Sequence, residues 1–375
     1  MNKKSLLYIP FAAAGLLMMQ TSCGGGEKKQ QTQETVTETA SQANLSEADA
    51  ALIKQASQVF GVLPAKADNP NNALNDDKVK LGKMLYYEPR LSKSGWISCN
   101  SCHNLATYGV DNLPTSIGHK WSIGNRNAPT SLNAALHIAQ FWDGRAADVE
   151  EQAKGPVLNP GEMASPHEQF AVDRIASIKE YAELFTKAFP GETNALTYNN
   201  IAKAIGAFER TLLTPSRFDE YMNGKSDALD EQAKKGMQTF IKSGCITCHM
   251  GSTVGGNMYQ KFGVKKDYWV LTKSKKKDEG RSTITKKAED KYFFKVPSLR
   301  NVERTYPYFH DGSIWTLEEA VSIMGELQLD KKFTTEEVAD IVAFLKSLTA
   351  EIPATAKEIP VLPASASNTS KPDFN

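Results

Sequence analysis

Two C-x-x-C-H motifs carry the clearest chemistry in this sequence. They consist of Cys99, Cys102 and His103, and of Cys245, Cys248 and His249. This spacing is typical of covalent heme attachment, because two thiols on adjoining turns reach the heme vinyl groups and the histidine then lies under the iron. A thioredoxin-like redox pair and half of a zinc site are alternatives, but neither requires a histidine directly after each pair. The motifs therefore predict two covalently bound heme c groups.

An internal repeat follows the two motifs. Residues 129–144 and residues 297–312 have equal lengths, begin with Pro, end with Gly, and share Asn, Phe and Asp at matching positions. The match continues into two helix starts, where Asp148 corresponds to Thr316 as the expected N-cap. The chain thus contains two cytochrome-like units, each a heme motif followed by a helical return.

Met324 marks the main difference between the two units. It shares one helical face with Leu317 and Val321, which in most proteins would make it a core residue. The matching position of the first unit is Pro156, which has no ligating atom. Thioether ligation raises the reduction potential of a heme. We therefore expect His249 and Met324 to ligate a closed, higher-potential second heme, and the first iron to offer an open site.

Helical periodicity dominates the rest of the chain, and no run alternates long enough to predict a substantial sheet. We therefore predict a mainly α fold with two cytochrome c-like helical domains, at residues 45–225 and 226–350, each with one covalent heme. Of the 375 residues 41% are hydrophobic, which suffices for two cores. The 44 Lys and Arg balance 43 Asp and Glu, which argues against a nucleic-acid partner.

Both ends of the chain have distinctive compositions. Residues 1–22 combine a basic start with an apolar run too short to span a membrane, as in a secretory signal; a buried first helix is the alternative. Cys23 stands where bacterial lipoproteins carry their lipid anchor, although Gln20 replaces the usual leucine, and simple cleavage nearby is the alternative. Residues 23–44 read as a flexible tether and residues 351–375 as an extended tail. These features predict a periplasmic, membrane-tethered protein.

The second unit carries about 22 extra residues between its motif and its repeat segment. Residues 261–291 lie there and contain eleven Lys or Arg against five Asp or Glu. One interpretation is a solvated surface excursion. The other is a docking patch near the second heme for an acidic redox partner.

The sequence resembles the bacterial di-heme cytochrome c peroxidases from about residue 45 to residue 363. The matching stretches outside the two motifs include Leu81–Tyr86, Gly109–Asp111, Ser116–His119, Arg126–Thr130, Gln140–Arg145, Gly161–Met163 and Tyr308–Gly312. The resemblance implies that the first heme is the low-potential peroxidatic one. It also implies that His103 is the proximal ligand of that heme. His119 would be its distal ligand in the fully oxidised form, released when the second heme is reduced.

Further roles follow from the same resemblance. Trp142 would lie between the hemes and assist electron passage, and Glu162 would be the distal acid–base. Asn127, Thr305 and Pro307 would hold a calcium ion, the last two through backbone carbonyls. From the residues alone, Trp142 could equally be a core aromatic, Glu162 a solvated loop acid and His119 a surface histidine.

The implied activity is reduction of hydrogen peroxide to water. Electrons would come from a small donor protein of the cytochrome c or cupredoxin type, enter at the second heme and pass to the first. One alternative is a non-catalytic di-heme electron-transfer cytochrome. Another is a related di-heme oxidase of a protein or small-molecule substrate, in which a tyrosine stands where this chain has Met324. Family members commonly form homodimers, which nothing in the sequence tests. The role of His310 stays open, and His137 and His167 match no ligand position.

Overall fold

Helices account for most of the regular structure in residues 45–375, the part of the chain that the computed structural model describes. The α-helices are α1 (Glu47–Ala56), α2 (Asp76–Tyr86), α3 (Cys99–Cys102), α4 (Val149–Leu158), α5 (Glu168–Ala176), α6 (Lys179–Ala188), α7 (Tyr198–Glu209), α8 (Arg217–Met222), α9 (Glu231–Lys242), α10 (Tyr268–Thr272), α11 (Ser282–Thr285), α12 (Leu317–Leu329), α13 (Thr335–Ser347) and α14 (Ala354–Lys357). The strands β1 (Tyr259–Lys261) and β2 (Phe293–Lys295) form one short antiparallel pair. The predicted mainly α fold is confirmed. The predicted signal peptide, Cys23 and the tether lie outside the described residues.

One apolar core is built around the first motif. Helices α2, α4, α5, α6 and α7 supply its buried side chains, among them Leu81, Leu85, Val157, Ile175, Phe185, Ile201 and Ile205. Helix α2 crosses α7 at Gly82, where a Cβ would lie 1.8 Å from the carbonyl oxygen of Ala204. The two backbones can approach this closely only because residue 82 has no side chain.

A second core surrounds the second motif and repeats that helix crossing. Helices α8, α9, α12 and α13 line it, and Gly236 of α9 would place a Cβ 1.8 Å from the carbonyl oxygen of Asp340 in α13. Equivalent glycines thus set the closest helix approach in both units. Helix α1 also packs here through Leu52 and Ala56, although it precedes the first motif in the chain.

The C-terminal tail returns to the first unit. Beyond α14 it has little regular structure, but Ile352 and Ala356 are buried in the first core. The buried Arg174 guanidinium donates to the backbone carbonyl of Lys371 and to that of Ser92, which joins the tail to the chain before the first motif. The first helix of the described chain therefore packs in the second core, and the C-terminal tail packs in the first core.

The two helices that the repeat aligns both start at a residue whose side chain caps the helix. Asp148 accepts from the backbone N–H of Glu151 at the start of α4, and Thr316 accepts from that of Glu319 at the start of α12. Both predicted N-caps are present. In residues 45–375 no helix has the length and apolarity needed to cross a membrane.

The lysine-rich segment 261–291 packs against the first unit along part of its length. The Asp278 carboxylate accepts two hydrogen bonds from Arg126, at 2.6 and 3.0 Å. Arg281 donates to the backbone carbonyl of Asp143 at 2.9 Å, and Tyr268 is fully buried in the second core. The segment thus joins the two units, whereas most of its lysines face solvent.

Candidate heme sites

The first motif forms a single helical turn with a fixed histidine behind it. Helix α3 contains both cysteines, and Ser98 and Ser101 close its start as a capping box. His103 Nδ1 lies 2.9 Å from the Pro129 carbonyl oxygen, so Nδ1 carries the proton and Nε2 is left for a metal. Burial lowers the pKa of His103, which keeps the imidazole neutral as ligation requires.

A cavity of about 1070 Å³ opens beside this motif, slightly larger than most small-molecule pockets. Its walls include Cys99, Cys102 and His103 together with Trp142, Pro156 and Glu162. Both thiols and the free histidine nitrogen are therefore available to one bound group. This arrangement fits a covalently attached heme. Pro156 lies on α4 at the cavity wall and supplies no ligating atom.

The second motif has a similar arrangement. Cys245 begins a short 3-10 turn after Gly244, and His249 is buried with Nδ1 3.4 Å from the Val254 carbonyl oxygen. Burial lowers the pKa of His249 to about 4, so this imidazole is also neutral. At Gly255, which has φ +128°, a Cβ would lie 2.2 Å from the Pro297 carbonyl oxygen. A glycine is therefore needed behind the second histidine.

Met324 lies half-buried on α12, between buried residues that face the second core. The C-terminal end of this helix reaches the second motif, because a Cβ on Gly244 would lie 4.0 Å from the Leu329 side chain. Cys245 packs against the same core as α12. The helix that carries Met324 therefore adjoins the second motif, as the helix that carries Pro156 adjoins the first.

His119 belongs to a hairpin-like loop over the first cavity. Gly118 and Gly124 donate backbone hydrogen bonds to Ser122 and Ser116, and both glycines line the cavity. The His119 side chain is buried but is not among the residues that line this cavity of the described chain. Its Nδ1 has no hydrogen-bond partner within residues 45–375. The loop that carries His119 therefore adjoins the cavity that His103 lines.

Glu162 faces the same cavity and is tied to the loop of His119. Its backbone carbonyl accepts from the His119 N–H at 2.8 Å, and its Oε1 accepts from Asn159 Nδ2 at 2.9 Å. Burial raises the pKa of the Glu162 carboxyl, while the charge of Arg145 and the Asn159 hydrogen bond oppose that rise. A partly buried carboxyl at a cavity wall can exchange a proton with a small substrate. Sequence reasoning assigned no role to Asn159 or Arg145, although Arg145 lies within a matching stretch.

Trp142 lies between the two units. Its indole Nε1 donates to the Asn127 carbonyl oxygen at 2.9 Å, and the Asn127 N–H donates to the His310 carbonyl oxygen at 2.7 Å. The Trp142 and His310 rings approach edge to face at 6.3 Å between centroids. His310 also stacks on Phe294 at 4.4 Å. The backbone N–H and carbonyl of Asn127 thus connect Trp142 and His310, which occupy equivalent positions in the repeat.

The predicted calcium residues lie on loops that asparagine side chains join by hydrogen bonds. Asn127 Nδ2 donates to the Leu113 carbonyl oxygen, and Asn112 Nδ2 donates to the carbonyl oxygen of Tyr306, which precedes Pro307. Within residues 45–375 no three Cys, His, Asp or Glu side chains cluster as metal ligands would.

Two family models match successive parts of the chain. The family model described as di-haem cytochrome c peroxidase matches residues 76–227, and the cytochrome c family model matches residues 233–349. The chain is 50% identical over 309 residues to cytochrome c551 peroxidase of Nitrosomonas europaea, a match that covers 82% of this chain and 89% of that protein. It is 46% identical over 332 residues to cytochrome c551 peroxidase of Pseudomonas aeruginosa, covering 88% and 94%.

A solved structure shares the fold as well. The MauG-like protein associated with microbial copper homeostasis superposes with a TM-score of 0.70 at 28% identity, over 80% of this chain and 97% of that one. The matched cytochrome c regions account for one heme c in each unit, and the activity of the similar proteins is that of an oxidoreductase. The chain belongs to the di-haem cytochrome c peroxidase family.

Proposed function

We propose that the chain reduces hydrogen peroxide to water at the first heme site, with electrons that enter at the second site. The reaction consumes one peroxide, two protons and two electrons and yields two waters. The observation that carries this proposal is the difference between two matching helices: α12 offers Met324 beside the second motif, whereas α4 offers Pro156 at the wall of the first cavity. The two hemes, when bound, would supply the electrons, and hydrogen peroxide would be reduced at the first of them.

His103 and His249 are the proximal ligands in this proposal. The carbonyl groups of Pro129 and Val254 face their Nδ1 atoms, which orients each ring and leaves Nε2 free. Met324 is the second ligand at the second site and keeps its potential high. His119 is the distal ligand of the first site in the fully oxidised protein. The hydrogen bond from the His119 N–H to the Glu162 carbonyl oxygen supports this role, because Glu162 lines the first cavity.

Glu162 moves the proton that peroxide cleavage requires. Its carboxylate accepts the proton of one peroxide oxygen and delivers it to the other, so that water departs instead of hydroxide. Asn159 holds Oε1 in place, and Arg145 stabilises the ionised form. Burial acts in the opposite direction and raises the pKa. Together these contacts keep the carboxyl able both to accept and to release a proton.

Trp142 assists electron passage between the two sites, since it lines the first cavity and its ring meets His310 of the second unit. The donor is a small protein of the cytochrome c or cupredoxin type. Calcium binds between the units, held by Asn127, Thr305 and Pro307. Because the Trp142 indole donates to the Asn127 carbonyl oxygen, the calcium site and the proposed electron path share Asn127. The protein acts in the periplasm, where a lipid on Cys23 tethers it to a membrane. It assembles as a homodimer.

Peroxide turnover by the purified holoprotein tests the proposal. The fully oxidised and the half-reduced protein are compared, and the visible spectrum is recorded in each state. Turnover that is fast in the half-reduced state, with one heme spectrum that changes on addition of peroxide, is the expected result. A half-reduced protein that leaves peroxide unreacted would support an electron-transfer cytochrome instead.

A further inference from the structure

Lys295 is a buried lysine without an ionic partner among residues 45–375. It ends β2, and only 6% of its surface is exposed. Its Nζ contacts His137 Nδ1 at 3.5 Å, and no carboxylate of the described chain contributes to its electrostatic environment. Burial alone lowers its pKa, to about 8. The fold thus buries an ammonium group and provides no anion for it.

His137 has an unsatisfied group at the same place. Its Nε2 is buried and has no hydrogen-bond partner in the described chain. The ring lies directly on Gly256, where a Cβ would come within 2.4 Å of His137 Cδ2. The Ile138 N–H donates to the Gly256 carbonyl oxygen at 2.9 Å. Two nitrogen-bearing side chains therefore converge where residues 45–375 supply no counter-charge for Lys295 and no partner for His137 Nε2.

This place adjoins the second heme site. Gly256 and its neighbour Gly255 follow the second motif, and a Cβ on Gly255 would lie 3.3 Å from His249 Nδ1. Gly256 donates to the carbonyl oxygen of Val296, the residue after Lys295. Within the described chain, neither Lys295 nor His137 lines the first cavity. Lys295 does reach the first unit through its N–H, which donates to the Trp142 carbonyl oxygen at 2.7 Å.

A buried charge costs several kcal/mol unless an opposite charge accompanies it. The anionic groups that the second heme adds to the holoprotein are its two propionates. We propose that Lys295, supported by His137, binds a propionate carboxylate of the heme attached to Cys245 and Cys248. The ammonium would donate a hydrogen bond to the carboxylate, and the unpaired His137 Nε2 would donate a second. The inference depends on the second heme but not on peroxide reduction.

The substitution Lys295→Met in the holoprotein tests this contact, with Lys295→Arg to restore the charge. Lys287→Met, at an exposed lysine that precedes β2 in the chain, is the matched control. The second heme is titrated spectroscopically against electrode potential at several pH values, and the propionate bending bands are recorded by resonance Raman with that heme selectively reduced. None of these measurements involves peroxide, so they separate this inference from the proposed activity.

Lys295→Met should lower the ratio of reduced to oxidised second heme at a fixed potential by about tenfold or more, because it removes a nearby positive charge. It should also shift the propionate band and make the potential depend on pH, since the unpaired carboxylate then takes up a proton. Lys295→Arg and Lys287→Met should keep the wild-type behaviour. An unchanged band and pH profile, or changes confined to the first heme, would overturn the assignment. If Lys295→Met does not retain the second heme, His137→Gln decides: a smaller shift of the same sign supports the contact, and no shift overturns it.

Discussion

Trp142 and His310, which occupy the same position in the two halves of the repeat, meet edge to face with their ring centroids 6.3 Å apart. The Asn127 backbone joins them, because its carbonyl accepts from the indole of Trp142 and its N–H donates to the carbonyl of His310. The contact between the two units is thus made by residues that the repeat relates. The proposed electron path would run through this aromatic pair.

Replacement of Trp142 by Phe should test that path. The variant keeps an aromatic ring but leaves the Asn127 carbonyl without its indole donor, which we expect to cost about 1–3 kcal/mol of unfolding free energy. Stopped-flow spectra should show slower electron transfer from the second heme to the first after peroxide is added, with both hemes retained. Trp96→Phe, at a residue that is 67% exposed, is the control. A transfer rate equal to wild type would remove Trp142 from the electron path.

Glu162→Gln should retain both hemes and their visible spectra but lose about 10²–10⁴-fold in peroxide turnover, because the amide cannot accept the peroxide proton. Wild-type turnover should rise with pH through the raised pKa of Glu162, since the ionised carboxylate is the form that accepts the proton. The variant should lack this rise. Glu151→Gln, on the exposed side of α4, should behave like wild type. Near-normal turnover of Glu162→Gln would show that another group moves the proton.

The sequence predicted those parts of the structure that depend on local spacing. The two motifs, the N-caps at Asp148 and Thr316, and the correspondence of Trp142 with His310 follow from residues close together or from the repeat. The pairing of Arg126 with Asp278 could not be predicted, because 152 positions separate the two residues and Asp278 lies within a lysine-rich run.

Local sequence patterns could not predict the packing of the chain ends either. Helix α1 has an amphipathic pattern that many cores could accept, and only the tertiary fold places Leu52 beside the second motif. The orientation of His119 depends on a loop in which Lys120 and Trp121 both adopt positive φ. Neither residue type indicates such a backbone conformation in advance.

Met324→Leu should lower the reduction potential of the second heme, because leucine has nearly the shape of methionine but offers no sulfur to the iron. Met237→Leu is the matched control, since Met237 is fully buried in the same core. Spectroelectrochemical titration of both variants measures the effect, and the control should titrate like wild type. Equal potentials in the two variants would exclude Met324 as a ligand.

Gly236→Ala should destabilise the second unit, because its Cβ would lie 1.8 Å from a backbone oxygen of α13 and the helices would have to separate. We expect a loss of about 1–3 kcal/mol or more in unfolding free energy. At Gly61 the nearest atom would be 3.4 Å from the Cβ, an ordinary contact distance. Gly61→Ala should therefore be nearly neutral or stabilise by about 0.4–1 kcal/mol, because alanine reduces the conformational entropy of the unfolded chain. Chemical denaturation of both holoproteins distinguishes the two cases, and equal effects would contradict the close crossing.

Glu209 should make the stability of the protein fall as pH rises from about 4.5 to about 8. It is 6% exposed at the wall of the first cavity, and burial, with the charge of Glu150, raises its pKa from 4.5 to about 8, while Arg210 opposes the rise. Across that window the folded state holds one proton more than the unfolded state, so the contribution declines by up to about 1.4 kcal/mol per pH unit. Glu209→Gln should remove this slope, whereas Glu289→Gln, at an exposed carboxyl, should preserve it. The test is the unfolding free energy of each holoprotein, measured at pH 5, 6, 7 and 8. A wild-type slope in Glu209→Gln would show that Glu209 is not the group that titrates.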